Sequence, residues 1–436
     1  MSSKTKIIAS RDQARPVLVP KLRFSEFLGA GDWEQKHIEN FFNVGSSKRV
    51  LQQDWTAQGI PFYRTRELVS LSKSEPFSSE IFISKSLFEE ITQKYGAPRE
   101  GDFLVSGVGT LGVSYLVKKG DEFYFKDGNV IWFSRRGGIS SSFFKYCFES
   151  DVIQDQILKQ ASVSTVGTYT IQNAKITKFY CPPTEKEQQK VSECLSSVDA
   201  LMTAQARKVA ALKTHKKGLI QQLFPREGET HPRRRFPEFQ NAGAWEVKSL
   251  GDICHYWNGG SNEGAITENG EYYLISLNSI DIDGNLKADM KRLSKTDHSL
   301  KKNDLIMVLS DVAHGNFLGL TDIIPNEMYV LNQRMAGLRL KNDSVGNVVF
   351  LRVFINKKQR YFKQKGQGSS QQNLAKSAVT EFPVVLPCQE EQQRIADCVT
   401  TVDALITAET QKHEALKTHK KGLMQQLFPS PEAVEV

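Results

Sequence analysis

Residues 211–225, ALKTHKKGLIQQLFP, return at residues 415–429 as ALKTHKKGLMQQLFP, with Ile220 against Met424 the one difference. At the same spacing of 204, Val198-Asp199-Ala200-Leu201 returns as Val402-Asp403-Ala404-Leu405, and Glu187-Gln188-Gln189 as Glu391-Gln392-Gln393. The front of each half repeats as well. Arg23-Phe24, Glu26-Phe27 and Trp33-Glu34 recur 212 residues later as Arg235-Phe236, Glu238-Phe239 and Trp245-Glu246. Gly101-Asp102-Phe103-Leu104-Val105 resembles Asn303-Asp304-Leu305-Ile306-Met307 at a spacing of 202, so the second copy carries small net deletions, as loops tolerate. A chain with such a period folds as two copies of one unit. Each copy is a variable segment followed by a closely repeated tail. The boundaries are a tail over 1–19, a first variable domain over 20–183, a helix over 184–225 and a polar linker over 226–234. A second variable domain follows over 235–387, then a helix over 388–429 and a tail over 430–436.

The tails read as helices. Their apolar positions run Val191, Leu195, Val198, Met202, Val209, Leu212, Leu219 and Leu223 in the first, and Ile395, Val399, Val402, Ile406, Leu416, Leu423 and Leu427 in the second. Steps of three, four and seven describe a heptad stripe with polar interruptions at Gln205 and Lys216. In the second tail Glu409 stands at the position of Gln205, and His413 replaces Val209. Pro182-Pro183 and Pro387 precede the helices, and Pro225 and Pro429 follow them. Two arrangements satisfy this pattern: an amphipathic helix lying on its own globular half, or a pair formed between the two tails. The polar breaks favour the first, while the narrowness, length and duplication of the stripe favour the second. An antiparallel pair would relate the halves by a pseudo-twofold axis.

The variable segments have a different texture. Short runs rich in β-branched and aromatic residues alternate with Gly, Asn and Asp, which predicts strands at 60–63, 103–105, 113–117, 122–125 and 130–133. The second copy predicts them at 271–275, 304–308, 328–331 and 348–351, with helices near 144–160 and 349–364. The fold class is therefore α+β, two mixed α/β domains with two long helices. At a spacing of 212, Tyr63-Arg64-Thr65-Arg66 opposes Ile275-Ser276-Leu277-Asn278, while Leu68 still opposes Ile280. Apolar framework persists and polar identity changes, which suits two surfaces reading different sequences, because Arg fits guanine edges and Asn adenine edges. Simple surface drift would produce the same pattern at any single position.

Composition bounds the chemistry. Fifty-seven Lys and Arg against 49 Asp and Glu give a net charge of +8, which permits nucleic-acid binding without requiring it. Basic candidates are Lys48, Arg49, Arg64, Arg66, Lys118, Lys119, Arg135 and Arg136 in the first copy; the second has Lys291, Arg292, Lys301, Lys302, Arg334, Lys357, Lys358, Arg360, Lys363 and Lys365. Thr65, Ser276 and Asn278 join them as polar readers, and the loops at 162–168 (SVSTVGT) and 366–372 (GQGSSQQ) could offer amides and hydroxyls to phosphates. The six cysteines form no CxxC pair, no apolar run spans a bilayer and no secretory signal opens the chain, so a cytoplasmic protein is expected. Phe27-Leu28-Gly29-Ala30-Gly31 has an FxGxG form, but its repeat partner lacks the first glycine, and it reads as a turn before Trp33. Gly107 to Ser114 has P-loop glycine spacing with Val113 where the lysine must be, so it reads as a strand-to-strand turn. The eight histidines show no metal-type spacing, and no GxSxG occurs. No catalytic, cofactor-binding or metal residue is assigned, and a binding protein is expected rather than an enzyme.

Two variable domains, each followed by a proline, an EQQ element and a closing LKTHKKGL-QQLFP, resemble the specificity subunit of Type I restriction–modification enzymes from about Pro20 to Pro429. The resemblance implies two target recognition domains, each reading one half of a bipartite site in double-stranded DNA. It implies that the tails pair as an antiparallel coiled coil through Val191, Leu195, Val198, Met202, Val209, Leu212, Ile395, Val399, Val402, Ile406 and Leu416. It further implies two modification subunits as partners, restriction subunits in the full complex, and S-adenosylmethionine, ATP and Mg on those partners with none on this chain. Since the polar content of the halves differs, the expected site is asymmetric. The rival readings are a coiled-coil scaffold without a DNA role and a self-contained DNA-modifying enzyme.

Overall fold

The computed structural model describes residues 19–429 apart from 74, 76, 78–80, 162–166, 313, 314 and 343. The terminal tails and most of the 162–168 loop therefore lie outside the described residues. The chain forms two compact units, one of residues 1–204 with 413–436 and the other of residues 205–412. The division cuts through both tails, each of which is a continuous helix, Glu185–Leu223 and Gln389–Leu427.

Unit 1 contains a ribbon of β1 (Glu34–His37) antiparallel to β10 (Lys178–Cys181). Its central sheet has the order β2-β9-β6-β7, from β2 (Phe42–Gly45), β6 (Phe103–Ser106), β7 (Ser114–Leu116) and β9 (Val130–Arg135). A smaller sheet has the order β3-β5-β4-β8, from β3 (Trp55–Thr56), β4 (Ile60–Tyr63), β5 (Phe82–Ile83) and β8 (Tyr124–Phe125). Strands β4 and β8 run parallel, with Phe62 beside Tyr124 and Tyr63 beside Phe125.

The period-two alternation of the central strands separates two cores. Phe103, Val105, Ile131 and Phe133 face a core with the helices Ser141–Glu149 and Asp151–Ala161 and with Val191 and Leu195 of the first long helix. Leu104, Val130 and Trp132 face the other way, onto Leu68, Tyr115, Phe123 and Phe125. The first of these cores is closed by residues from the far end of the chain. Phe428 stacks on Phe143 at 5.8 Å and meets Trp33 edge-on at 5.9 Å. The Leu22 amide donates to the Gln426 carbonyl at 2.9 Å.

Unit 2 repeats this plan. The ribbon is β11 (Glu246–Ser249) with β21 (Pro383–Leu386), and the central sheet is β12-β19-β15-β17. Its strands are β12 (Cys254–Asn258), β15 (Leu305–Val308), β17 (Thr321–Ile323) and β19 (Met335–Leu340). The smaller sheet is β14-β13-β18, from β13 (Tyr272–Ile275), β14 (Arg292–Leu293) and β18 (Tyr329–Leu331), with β13 and β18 parallel. A further ribbon pairs β16 (Ser310–Val312) with β20 (Gln371–Asn373). Leu305, Met307, Ala336 and Leu338 face the core that holds Ile395 and Val399 together with Leu223 and Phe224, whereas Ile306, Val308 and Met335 face a second core. Phe224 packs on Phe350 at 5.0 Å and on Trp245 at 6.2 Å.

The run Val348-Val349-Phe350-Leu351, expected as a strand, opens the helix Val348–Lys357 instead. A continuous apolar run does not distinguish a buried helix from a buried strand. Asn347 decides it, because its side-chain oxygen accepts from the amides of Val349 and Phe350 at 2.9 and 3.0 Å. The glycine-rich 107–113 segment is the turn between β6 and β7, as its sequence suggests.

Helix pairing occurs within each unit and is antiparallel. In unit 2, Lys216 pairs with Asp403 at 2.6 Å, and Gln205 donates to the Glu409 carboxylate at 2.7 Å and to its backbone carbonyl at 2.8 Å. In unit 1, Lys420 pairs with Asp199 at 2.9 Å and Glu149 at 3.1 Å. The polar interruptions of the stripe are thus the points where one helix grips the other. Val191, Leu195, Val198, Ile395, Val399 and Val402 are buried; Met202, Val209, Leu212, Ile406 and Leu416 are half-buried.

The repeated EQQ element anchors each helix to the front of its own unit. Glu187 receives a bidentate fork from Arg23, at 2.7 and 2.8 Å, and the Trp33 indole N–H at 3.0 Å. Glu391 receives the same fork from Arg235, at 2.8 and 2.5 Å. Gln188 accepts from the Ser140 amide and Gln392 from the Asn347 amide, each at 2.9 Å, so the next residue of the motif holds the start of the following helix.

Candidate nucleic-acid interface

In unit 1 the ends of the parallel strands β4 and β8 gather the cations. Chain leaving β4 enters Arg64 and the helix Thr65–Ser72, and chain leaving β8 enters Lys126, whose amide donates to the Tyr63 carbonyl at 2.8 Å. The 46–49 loop is tied to the same edge. Ser47 Oγ donates to the Phe125 carbonyl at 2.8 Å, the Lys48 amide donates to the Tyr124 hydroxyl at 2.9 Å, and Arg49 pairs with Asp127 at 2.8 Å. Lys48 Nζ sits over the Tyr95 ring at 5.2 Å. Glu67 lies beneath, buried, and receives Arg64 and Arg66. Burial pushes its carboxyl up, but the hydrogen bonds from Arg64 outweigh this and hold it below the usual carboxylate range. Lys48, Arg49, Arg64, Arg66 and Lys126 thus gather on one edge, where Arg49 meets Asp127 and both Arg64 and Arg66 meet Glu67.

In unit 2 the equivalent edge carries amides and hydroxyls. The Asn332 amide donates to the Ile275 carbonyl at 3.0 Å, the counterpart of the Lys126–Tyr63 bond. Asn332 Nδ2 reaches Glu263 at 3.3 Å, and Asn262 Nδ2 donates to the Leu331 carbonyl at 3.0 Å. Ser276 and Ser279 close the first turn after β13, with the Ser276 amide donating to Ser279 Oγ at 2.9 Å. Asn278, Gln333 and Arg334 are exposed beside them. Gly259 lies against this edge, where a Cβ would meet the Asn332 carbonyl at 2.2 Å.

The remaining expected contacts lie elsewhere. Lys118 and Lys119 are exposed in the turn that enters β8, at the other end of that strand from Lys126. Arg360 is exposed on the helix Gln359–Lys365. Lys357, expected to face phosphate, turns inward: Nζ donates to the carbonyls of Phe224 at 2.9 Å and Pro225 at 3.1 Å, just past the end of the first long helix. Burial pushes its pKa down to about 8 and lowers that of Lys358 beside it. Sequence reading missed Lys126, Asn332 and Gln333, because only the parallel pairing brings the chain after β8 or β18 beside the chain after β4 or β13, and it missed Asn262, whose bond to the Leu331 carbonyl spans 69 residues.

Among the described residues, no group of three or more His, Cys, Asp or Glu side chains is placed to hold a metal, and no helix is long and apolar enough to cross a membrane.

A family model for the Type I restriction modification DNA specificity domain matches residues 30–214 and again residues 243–418. The Type I restriction enzyme MjaVIII specificity subunit of Methanocaldococcus jannaschii is 23% identical over 421 residues, covering 91% of this chain and 92% of that one. A Haemophilus influenzae protein described as a type I restriction enzyme specificity subunit is 30% identical over 161 residues; the match covers 36% of this chain and 38% of that protein. Among solved structures, the S subunit of a Type-I restriction–modification system from M. genitalium superposes with a TM-score of 0.57 at 15% identity, covering 95% of this chain and 100% of that one.

Proposed function

Starting from the fact that the chain belongs to the Type I restriction modification DNA specificity family, we propose that the ends of the two parallel strand pairs are its DNA-reading edges. It is the non-catalytic specificity subunit of a type I restriction–modification system. The observation that carries the proposal is the shared construction of the two edges with different chemistry: Lys48, Arg49, Arg64, Arg66 and Lys126 on unit 1, and Ser276, Asn278, Gln333 and Arg334 on unit 2. An arginine-rich edge fits guanine and phosphate, an amide-rich edge fits adenine, and a site read by both is bipartite and asymmetric. The repeated helices, which carry nearly the same residues over 211–225 and 415–429, suit two copies of one modification subunit, and restriction subunits would join through these. S-adenosylmethionine, ATP and Mg are assigned to those subunits. The setting is the cytoplasm, where the DNA is.

The test uses the chain assembled with its modification subunits. Replacing Lys48, Arg49 and Lys126 by alanine is expected to weaken binding to every site and to flatten the dependence of affinity on salt, by about one unit of slope per lost phosphate contact. Unchanged affinity and salt slope would place the DNA on another face.

A further inference from the structure

The first turn after β4 carries more charge than its fold requires. The Glu67 side chain is 3% exposed, and its carboxylate takes Arg64 Nη2 at 2.6 Å, Arg64 Nε at 3.2 Å and Arg66 Nη2 at 3.1 Å. It also accepts from the Arg64 backbone amide at 2.9 Å, which caps the helix Thr65–Ser72. The repeat equivalent of Glu67 is Ser279, and its hydroxyl accepts from the Ser276 amide in the same capping position at 2.9 Å. Capping therefore needs only a hydroxyl. A buried carboxylate costs desolvation, which in Glu67 the hydrogen bonds from Arg64 must first overcome, whereas the hydroxyl at the same position in unit 2 caps its turn without that cost. The three charged residues differ between the units as a set: Arg64, Arg66 and Glu67 against Ser276, Asn278 and Ser279.

What the carboxylate adds is orientation. The Arg66 side chain is 61% exposed, yet its guanidinium is held against Glu67 at the rim of the reading edge. A long side chain fixed in this way loses less conformational freedom when it forms a two-pronged contact. Resting on the proposed function above, we propose that Glu67 is a positioning residue that presents Arg66 to a guanine in the half-site read by unit 1. The turn after β13, with Asn278 in place of Arg66, makes no such demand on its own half-site.

Selection from randomised DNA by the chain assembled with its modification subunits tests this. Arg66→Lys keeps the charge and loses the planar fork. It is expected to reduce the preference for guanine at one position of one half-site by about 10-fold to 100-fold, with the salt slope and the other half-site unchanged. Glu67→Gln keeps an acceptor for the Arg64 amide and removes the charge; relaxation at the same position is expected, to a smaller extent. Should Glu67→Gln fail to fold, Glu67→Asp, which keeps the charge on a shorter stem, takes its place; a full guanine preference in the folded Glu67 variant would overturn the positioning role even where Arg66→Lys relaxes it. A uniform loss of affinity with the same selected sequence would make Arg66 a phosphate contact, overturning the inference and leaving the reading edge in place. No change in affinity or in selected sequence would overturn both.

Discussion

Units 1 and 2 share a sheet order and differ most where side chains touch in pairs. Gly45 of β2 lies opposite Trp132 of β9, while in unit 2 Trp257 of β12 lies opposite Gly337 of β19. The bulky member has changed strands. Trp132 donates its indole N–H to Asp102 at 2.9 Å, whereas Trp257 lies under the Arg339 guanidinium at 5.1 Å and Arg339 takes the equivalent Asp304 at 2.6 and 2.7 Å. The aspartate of the GDF and NDL elements thus stays and its partner is exchanged. Divergence between the copies proceeds by compensated sets, as the Arg64–Arg66–Glu67 group does at the reading edge, and the shared frame of Arg–Glu forks and helix ends is left intact.

The largest effect that would break this comparison is expected from the helix ends. Phe224→Ala and Phe428→Ala should each cost about 3–5 kcal/mol. Phe224→Ala should lower amide-exchange protection in unit 2, and Phe428→Ala in unit 1. Loss in the opposite unit would refute the assignment of each helix end to its core.

Next come the forks. Removing one partner of a buried ion pair costs about 3–5 kcal/mol. Glu187→Ala strands both Arg23 and the Trp33 indole, while the Trp245 indole N–H is buried without a partner already. Chemical denaturation should find Glu187→Ala more damaging than Glu391→Ala by about 1 kcal/mol, the worth of one hydrogen bond.

A smaller effect sharpens the Gly–Trp exchange. A Cβ on residue 337 would lie 2.2 Å from the Trp257 ring, whereas one on residue 45 would meet nothing within 4 Å. Gly337→Ala should therefore destabilise by about 1–3 kcal/mol, and Gly45→Ala by less, in thermal melts.

The smallest concerns acid. Hydrogen bonds from Gln205, Lys208 and Lys412 hold Glu409 down to about 2, below the usual 4.5. A carboxyl depressed in the folded state contributes stability above its unfolded pKa and loses it as pH falls through the folded one. Between pH 4.5 and about 2, Glu409→Gln should flatten the acid sensitivity of unit 2 relative to the parent chain. Identical acid profiles would remove Glu409 from the helix contact.

Much of this frame was legible in the sequence. The repeat gave two units, the heptad stripe gave the long helices, and eight of the nine strands predicted from β-branched and aromatic runs are present, although the short and polar strands went unread. The ribbons β1–β10 and β11–β21 went unread because EQKH and EVKS carry too few apolar residues to signal a strand. The role of the EQQ element was hidden by distance: Arg23 and Glu187 are 164 residues apart, and no local pattern joins them. Lys357 looked like a surface cation because its acceptors, two carbonyls just past the end of a helix, carry no sequence signal. The reading edges were half visible, since the change of polar identity could be seen but not the strand pairing that assembles it.

The division of the two long helices between the units has a consequence for biosynthesis. Unit 2 is one uninterrupted stretch, whereas the core of unit 1 stays open until Leu427 and Phe428 arrive. On the ribosome, the segment translated first is completed last, and a late frameshift would damage the front of the protein more than its middle.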